Sequence, residues 1–153
     1  MKTILVPIDF SLATHAVVNA AAGLARPSKG TLILVHVVRP PIVVSEYGGT
    51  LSAASTSQAD DMATAARLLS HWAKDLVRRG LKVKTVQRSG IPVAEILRQA
   101  TRLRPDALVM GSHGHTAFYD LFIGGTTSGV LKNAKWPVLI VPAVKKPARR
   151  KRK

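Results

Sequence analysis

The stretch 110–129, MGSHGHTAFYDLFIGGTTSG, concentrates the groups in this chain that could hold an anion. Glycine lacks a Cβ, so it accepts positive φ and lets a ligand come close to the backbone. Gly111 and Gly114 would shape one turn this way, and Gly124 and Gly125 a second. A helical pattern follows, in which Thr126, Thr127 and Ser128 precede Val130, Leu131 and Lys132. The unpaired amides at such a helix start, with the positive end of its dipole, suit phosphate. The region therefore reads as a phosphate-binding loop, although glycines alone would equally suit an ordinary surface loop.

Few other residues suggest chemistry. Asp9 follows the first apolar run, where it could accept hydrogen bonds from a ligand or help Ser11 to cap a helix. It is not the phosphoacceptor of a receiver domain, which needs an acidic pair after its first strand and an aspartate after its third; this chain has Arg88, Ser89 and Gly90 there. His113 and His115 could form a metal pair, but as polar loop residues they would add charge near phosphates when protonated. His36, inside an apolar run, reads as a satisfied core histidine, and His15 and His71 fall in helical segments. Neither GxxxxGK[ST] nor GxGxxG occurs, and no pair of carboxylates or Ser, His, Asp set stands in a hydrolase context. No catalytic residue is assigned.

Composition bounds the rest. At 153 residues the chain is long enough for one domain with a substantial core, and 46% hydrophobic residues with only 5% aromatics make that core aliphatic. The absence of cysteine excludes disulfides, thiolate metal sites and a cysteine nucleophile, and fits the cytoplasm. No secretory leader or membrane anchor is read, because Asp9 interrupts the first apolar run and Arg39, Pro40 and Pro41 break the longest one.

The net charge of +15 is unevenly spread. Seven of the 23 basic residues and none of the eight acidic ones lie in 145–153, KKPARRKRK, which leaves sixteen basic against eight acidic, or +8, elsewhere. The tail cannot bury enough apolar surface to fold and is expected to be disordered, either solubilising or making weak, salt-sensitive contact with nucleic acid or an acidic partner. The domain proper is 1–144.

The elements that would position these groups alternate. Residues 2–8 and 31–38 are nearly continuous apolar runs, as strands buried on both faces are. Between them lies a helix from Ser11 to about Arg26, with Leu12, Ala16, Val17, Ala20, Ala21 and Leu24 on its apolar face. Residues 42–55 have no period and read as a mobile loop. Residues 56–79 are helical again, with Met62, Ala65, Ala66, Leu69, Trp72, Ala73 and Leu76 inward and Gly80 as the stop. Residues 81–87 alternate lysine with apolar residues, as an edge strand does. Pro92 opens a third helix, 106–110 forms a strand before the glycine region, a fourth helix covers 126–133, and Val138 to Val141 closes the sheet. Five strands in β-α alternation make a parallel sheet with helices on both faces, and ligands of such sheets bind beyond the carboxyl ends of the strands.

The segments ILVPIDFS at 4–11, LVHVV at 34–38 and GSHGHTAFYDLFIGGTTSGVLKNAKWPVLIVP at 111–142 resemble the universal stress protein family. The last is the specific one: ATP-binding members carry glycine, two residues, glycine, nine residues, glycine and then Ser or Thr, and Gly111, Gly114 and Gly124 fall at that spacing. The resemblance implies an α/β fold of the adenine nucleotide alpha hydrolase-like type, with strand order 3-2-1-4-5. It also implies a homodimer and ATP at the carboxyl edge; the apolar last strand, Val138 to Val141, could pair across the two-fold axis, and any Mg²⁺ or Mn²⁺ ion would be held mainly by the phosphates. By position, Pro7 would line the adenine pocket, and Asp9 and Val37 would meet adenine and ribose. Met110 and Gly111 would line the path to the phosphates, and Gly114, Gly124, Gly125, Thr126 and Thr127 would surround them. The expected function is that of an ATP-binding stress-response module without a membrane association. The alternatives are a scaffold dimer that binds no nucleotide, or a slow ATPase. One departure stands out: Gly125 occupies the Ser or Thr position of the motif, which removes a hydroxyl bond to phosphate and leaves Thr126 or Thr127 to supply it.

Overall fold

In the computed structural model, which describes residues 1–40, 51–112 and 123–142, strands and helices alternate throughout. The order is β1 (Thr3–Pro7), α1 (Thr14–Ala25), β2 (Thr31–Val38), α2 (Leu51–Arg78), β3 (Lys82–Ser89), α3 (Pro92–Leu103), β4 (Ala107–Gly111), α4 (Gly125–Asn133) and β5 (Val138–Val141). The five strands form one sheet in the order β3-β2-β1-β4-β5, and every pairing is parallel. The expected architecture and strand order are thus present.

The core divides by strand parity, because successive side chains leave a strand on opposite faces. Ile4 and Val6 of β1 and Leu32 and Leu34 of β2 pack with Val17, Val18, Leu69 and Leu76 under α1 and α2. Leu5, Ile33, Val35, Leu108 and Met110 pack with Ile96, Ala100 and Val130 under α3 and α4. Gly129 makes the second layer possible: a Cβ there would stand 2.8 Å from Cγ2 of Val93, so the glycine lets α4 lie directly on α3.

Local signals met different fates. Pro92 sits at the first turn of α3 as expected. Gly80 takes φ 78° just after α2, and the Leu81 amide reaches back to the Leu76 carbonyl at 3.1 Å, so the stop signal there operates. Lysine-rich β3 lies at a sheet edge.

Two expectations are corrected. Ser11 does not cap α1: its amide donates to Asp9 Oδ1 at 3.0 Å, its carbonyl accepts from the Thr14 amide, and the helix begins at Thr14. Phe10, at φ 60°, turns the chain before the helix can start. The buried face is Val17, Val18, Ala21, Ala22 and Ala25, shifted by one position from the expected set, and Leu12, ahead of the helix, is 84% exposed. The second correction concerns α2, which starts at Leu51, so 51–55 are helical rather than loop. An Ala and Ser segment lacks an apolar period, yet it propagates a helix once the amphipathic turns beyond it are docked. The remainder of that expected loop through residue 50, His113, Gly114, His115 and the tail 145–153 lie outside the described residues.

Candidate functional site

The strand order reverses between β1 and β4, and their carboxyl ends open onto a cleft of about 1070 Å³. Of the residues singled out from the sequence, Pro7, Asp9, Val37, Met110, Gly111, Gly124, Gly125, Thr126 and Thr127 all line it. They arrive from four elements and are separated by up to 120 positions in the chain, so only the parallel topology unites them.

On the β4 side, the Ser112 amide donates to the Val141 carbonyl at 2.9 Å, and the Ser112 carbonyl accepts from the Gly124 amide at 2.7 Å. That second bond clamps the two ends of the glycine region together at the mouth of β4. It also commits the Gly124 amide to the protein, although the sequence reading placed it among the phosphate donors. The Gly124 carbonyl then accepts from Ser128 as the first turn of α4 closes. The first-turn amides at Gly125, Thr126 and Thr127 have no acceptor within the helix, as at any helix start, and among the described residues no side chain caps them.

The two threonines have separated roles. Thr127 is buried, and its Oγ1 donates to the Gly111 carbonyl at 2.8 Å, tying α4 to β4. Its hydroxyl is therefore spent on the fold, and in the described first turn of α4 it is Thr126, half-exposed on the cleft, that can offer a hydroxyl to a ligand. At Gly125 a Cβ would meet nothing within 4 Å, so neither packing nor backbone geometry demands glycine there.

On the β1 side, Asp9 leaves the strand with its carboxylate turned back to the Ser11 amide, and it faces the cleft. Pro7 and Val37 stand on adjacent strands, since Pro7 pairs with Val35. Several residues that the sequence did not assign to the site line the same space: Phe10, His36, which was read as a core residue, Arg39, Asp61, and the turn Gly90 and Ile91 after β3. Except for Asp61, which lies ten residues into α2, their sequence signal is position at or just beyond a strand's carboxyl end. His36 is satisfied, as expected, because its Nδ1 lies 2.8 Å from the Ile8 carbonyl and its ring packs 4.3 Å from that of Phe10. Burial lowers its pKa, against the opposing pull of the Ile8 carbonyl and of Asp9.

Chemically, the cleft offers amide donors and one hydroxyl at α4, apolar walls at Pro7 and Val37, and a carboxylate between them. That arrangement can bind a molecule with an anionic end and a flat apolar body. Among the described residues no group of three His, Asp or Glu side chains could hold a metal ion.

Known proteins share this plan. The universal stress protein MJ0577 of Methanocaldococcus jannaschii is 27% identical over 158 residues, covering 92% of this chain and 94% of that protein. Its solved structure superposes with a TM-score of 0.83 at 28% identity, covering 95% of this chain and 98% of that one. Two further solved structures share the fold at lower identity. One is a universal stress protein in complex with cAMP (TM-score 0.69, 21% identity, 94% and 98% covered). The other is the universal stress protein of Archaeoglobus fulgidus in complex with dAMP (TM-score 0.62, 20% identity, 92% and 98% covered). The sequence pattern of the Universal stress protein family itself matches residues 1–142. With that span of sequence and this strand order, the chain belongs to the universal stress protein family.

Proposed function

We propose that this protein is an adenine-nucleotide-binding module of the stress response, with ATP as its ligand and no catalytic step of its own. The observation that carries the reading is the convergence of Pro7, Asp9, Val37, Met110, Gly111 and the start of α4 on one cleft where the strand order reverses. In this reading Pro7 and Val37 flank adenine, and Asp9 accepts from ribose hydroxyls or the adenine amino group. Met110 and Gly111 line the path to the phosphates. The amides of Gly125, Thr126 and Thr127 then hold the phosphates, with Gly114 completing the loop and Gly124 acting as its clamp. A Mg²⁺ or Mn²⁺ ion would arrive with the nucleotide and be carried by phosphate oxygens. The relatives in complex with cAMP and dAMP support an adenine nucleotide as the ligand class.

Calorimetry with Mg-ATP on the folded protein tests this reading. Heat that saturates by high micromolar nucleotide is expected, and its absence overturns the proposal.

A second reading, a scaffold dimer without nucleotide, is favoured by Gly125 and by the commitment of the Thr127 hydroxyl and the Gly124 amide to the fold. Mass spectrometry of the protein as isolated separates the two, since only the first retains adenine nucleotide. In both readings we propose a homodimer through β5, an edge strand on which Leu139 is 42% exposed. Leu139→Lys should then give a monomer in sedimentation.

A further inference from the structure

β3 closes one side of the sheet, and among the described residues no strand pairs with its outer edge. Proteins ordinarily keep such edges short, bulged or interrupted by proline, because a row of free amides and carbonyls is a template for another chain. β3 has none of these features. It runs for eight residues, against four for β5 at the other edge, and every residue from Lys82 to Ser89 holds register with Thr31 to Val38 of β2. The Gly90 amide continues that ladder by donating to the Val38 carbonyl at 3.0 Å. Backbone groups alternate in direction along a strand, so the amides and carbonyls of Val83, Thr85 and Gln87 point away from β2.

The two faces beside this edge differ. Thr85 and Gln87 form one wall of a groove of about 570 Å³ on the α2 face, and Ala66, Leu69, Ala73 and Val77 of α2 form the other. Gln87 is fixed there by its Nε2, which donates to the Met62 carbonyl at 2.7 Å, while Val77 is 55% exposed. On the opposite face Lys82 and Lys84 are both exposed. Lys74 and Arg78 add positive charge at the groove, and the carboxylate between them in sequence, Asp75, is already engaged by Arg78 and Arg79. No residue lining this groove lines the cleft at the carboxyl ends of the strands.

We propose that β3 accepts an added strand from an acidic partner protein: an extended segment of about seven residues in which small apolar side chains alternate with Asp or Glu. Its backbone pairs with the outward amides and carbonyls of Val83, Thr85 and Gln87. Its apolar side chains, all on one face, enter the groove beside α2, and its carboxylates, on the other, meet Lys82 and Lys84. The same lysines exclude two other occupants. A second copy of β3 would bring lysine toward lysine, and the tail 145–153 carries seven basic residues and no acidic one. The surface stands whether or not the cleft holds a nucleotide.

Amide hydrogen exchange of the full chain, followed by NMR, tests it with three capped peptides of the same length: glutamate alternating with valine, glutamate alone, and lysine alternating with valine. The first should slow exchange at Val83, Thr85 and Gln87, saturating below millimolar concentration, and the other two should not. Lys84→Glu should weaken the glutamate–valine peptide about tenfold and favour the lysine–valine one. Thr85→Pro removes one outward amide and spares the bonds to β2, so it should abolish the protection. Neither substitution should alter any Mg-ATP heat. The proposal is overturned if the glutamate–valine peptide leaves the three amides exchanging as in the free protein, if glutamate alone protects them equally, or if Lys84→Glu binds the first peptide like the parent. Protection that grows with protein concentration alone would overturn it too, by assigning the edge to a second copy. Should Thr85→Pro fail to fold, the peptide series and Lys84→Glu still decide.

Discussion

Thr127 Oγ1 donates to the Gly111 carbonyl at 2.8 Å, so the hydroxyl nearest the motif's missing one is already engaged in joining α4 to β4. In the proposed nucleotide reading, the described start of α4 would therefore meet phosphate with its amides and the hydroxyl of Thr126. Because a Cβ at 125 meets nothing within 4 Å, Gly125→Ser should fold like the parent and restore the absent donor. A hydrogen bond to a charged acceptor contributes about 1.5 to 3 kcal/mol, so Mg-ATP affinity should rise roughly tenfold to a hundredfold by calorimetry. An unchanged affinity would remove the phosphates from α4.

Gly129→Ala should destabilise the fold. The added methyl would stand 2.8 Å from Val93 Cγ2, and a β-branched side chain so close to its backbone has little room to yield. Overpacking of this kind costs about 1 to 3 kcal/mol, and for a chain of this length each kcal/mol lowers Tm by roughly 2 to 4 °C. In a double-mutant cycle, Val93→Ala should relieve part of the cost, because the two positions share the contact.

Asp106 fastens the start of β1. Its carboxylate accepts from the amides of Lys2 at 2.5 Å and Thr3 at 2.8 Å, and those two bonds, Thr3 first, lower its pKa. A depressed carboxyl contributes stability above its unfolded pKa and loses it as pH falls through the folded value. Asp106→Asn should therefore lower Tm at neutral pH, and the gap from the parent should close below about pH 4. A gap that persists in acid would assign the effect to packing instead.

His36 acts in the opposite sense. Burial favours its neutral ring, so the unfolded chain binds the proton first and stability declines as pH falls below about 6.5, until the folded pKa is passed. Denaturant titrations from pH 7.5 to 5 should show a steeper loss for the parent than for His36→Gln. Equal slopes would mean that the ring is as well solvated folded as unfolded.

Much of this was legible in the chain. The unbroken apolar runs at 3–7 and 31–38, Pro92, Gly80 and the final Val138 to Val141 carry their own local chemistry, and the strands and stops fall there. Asp9, Val37 and Gly111 could be placed at carboxyl strand ends because position along a parallel strand is a one-dimensional property. The failures share a cause. Ser11 is a good cap by type, but Phe10 at φ 60° redirects the chain first, and a residue's preference cannot foresee its neighbour's turn. The Gly124 amide and the Thr127 hydroxyl looked available because their acceptors, the carbonyls of Ser112 and Gly111, lie 12 and 16 positions away. His36, Asp61 and Thr14 share a cleft only once α1 and α2 lie on the same face of the sheet.

The fastening at Asp106 also bears on how the molecule is handled. Together with the Ser28 hydroxyl on the Met1 carbonyl, it seats the first residues at the amino edge of the sheet, the pole opposite the cleft. A sensor chip, dye or affinity handle joined ahead of Met1 would therefore hold the protein from behind, with its binding side turned to the solution.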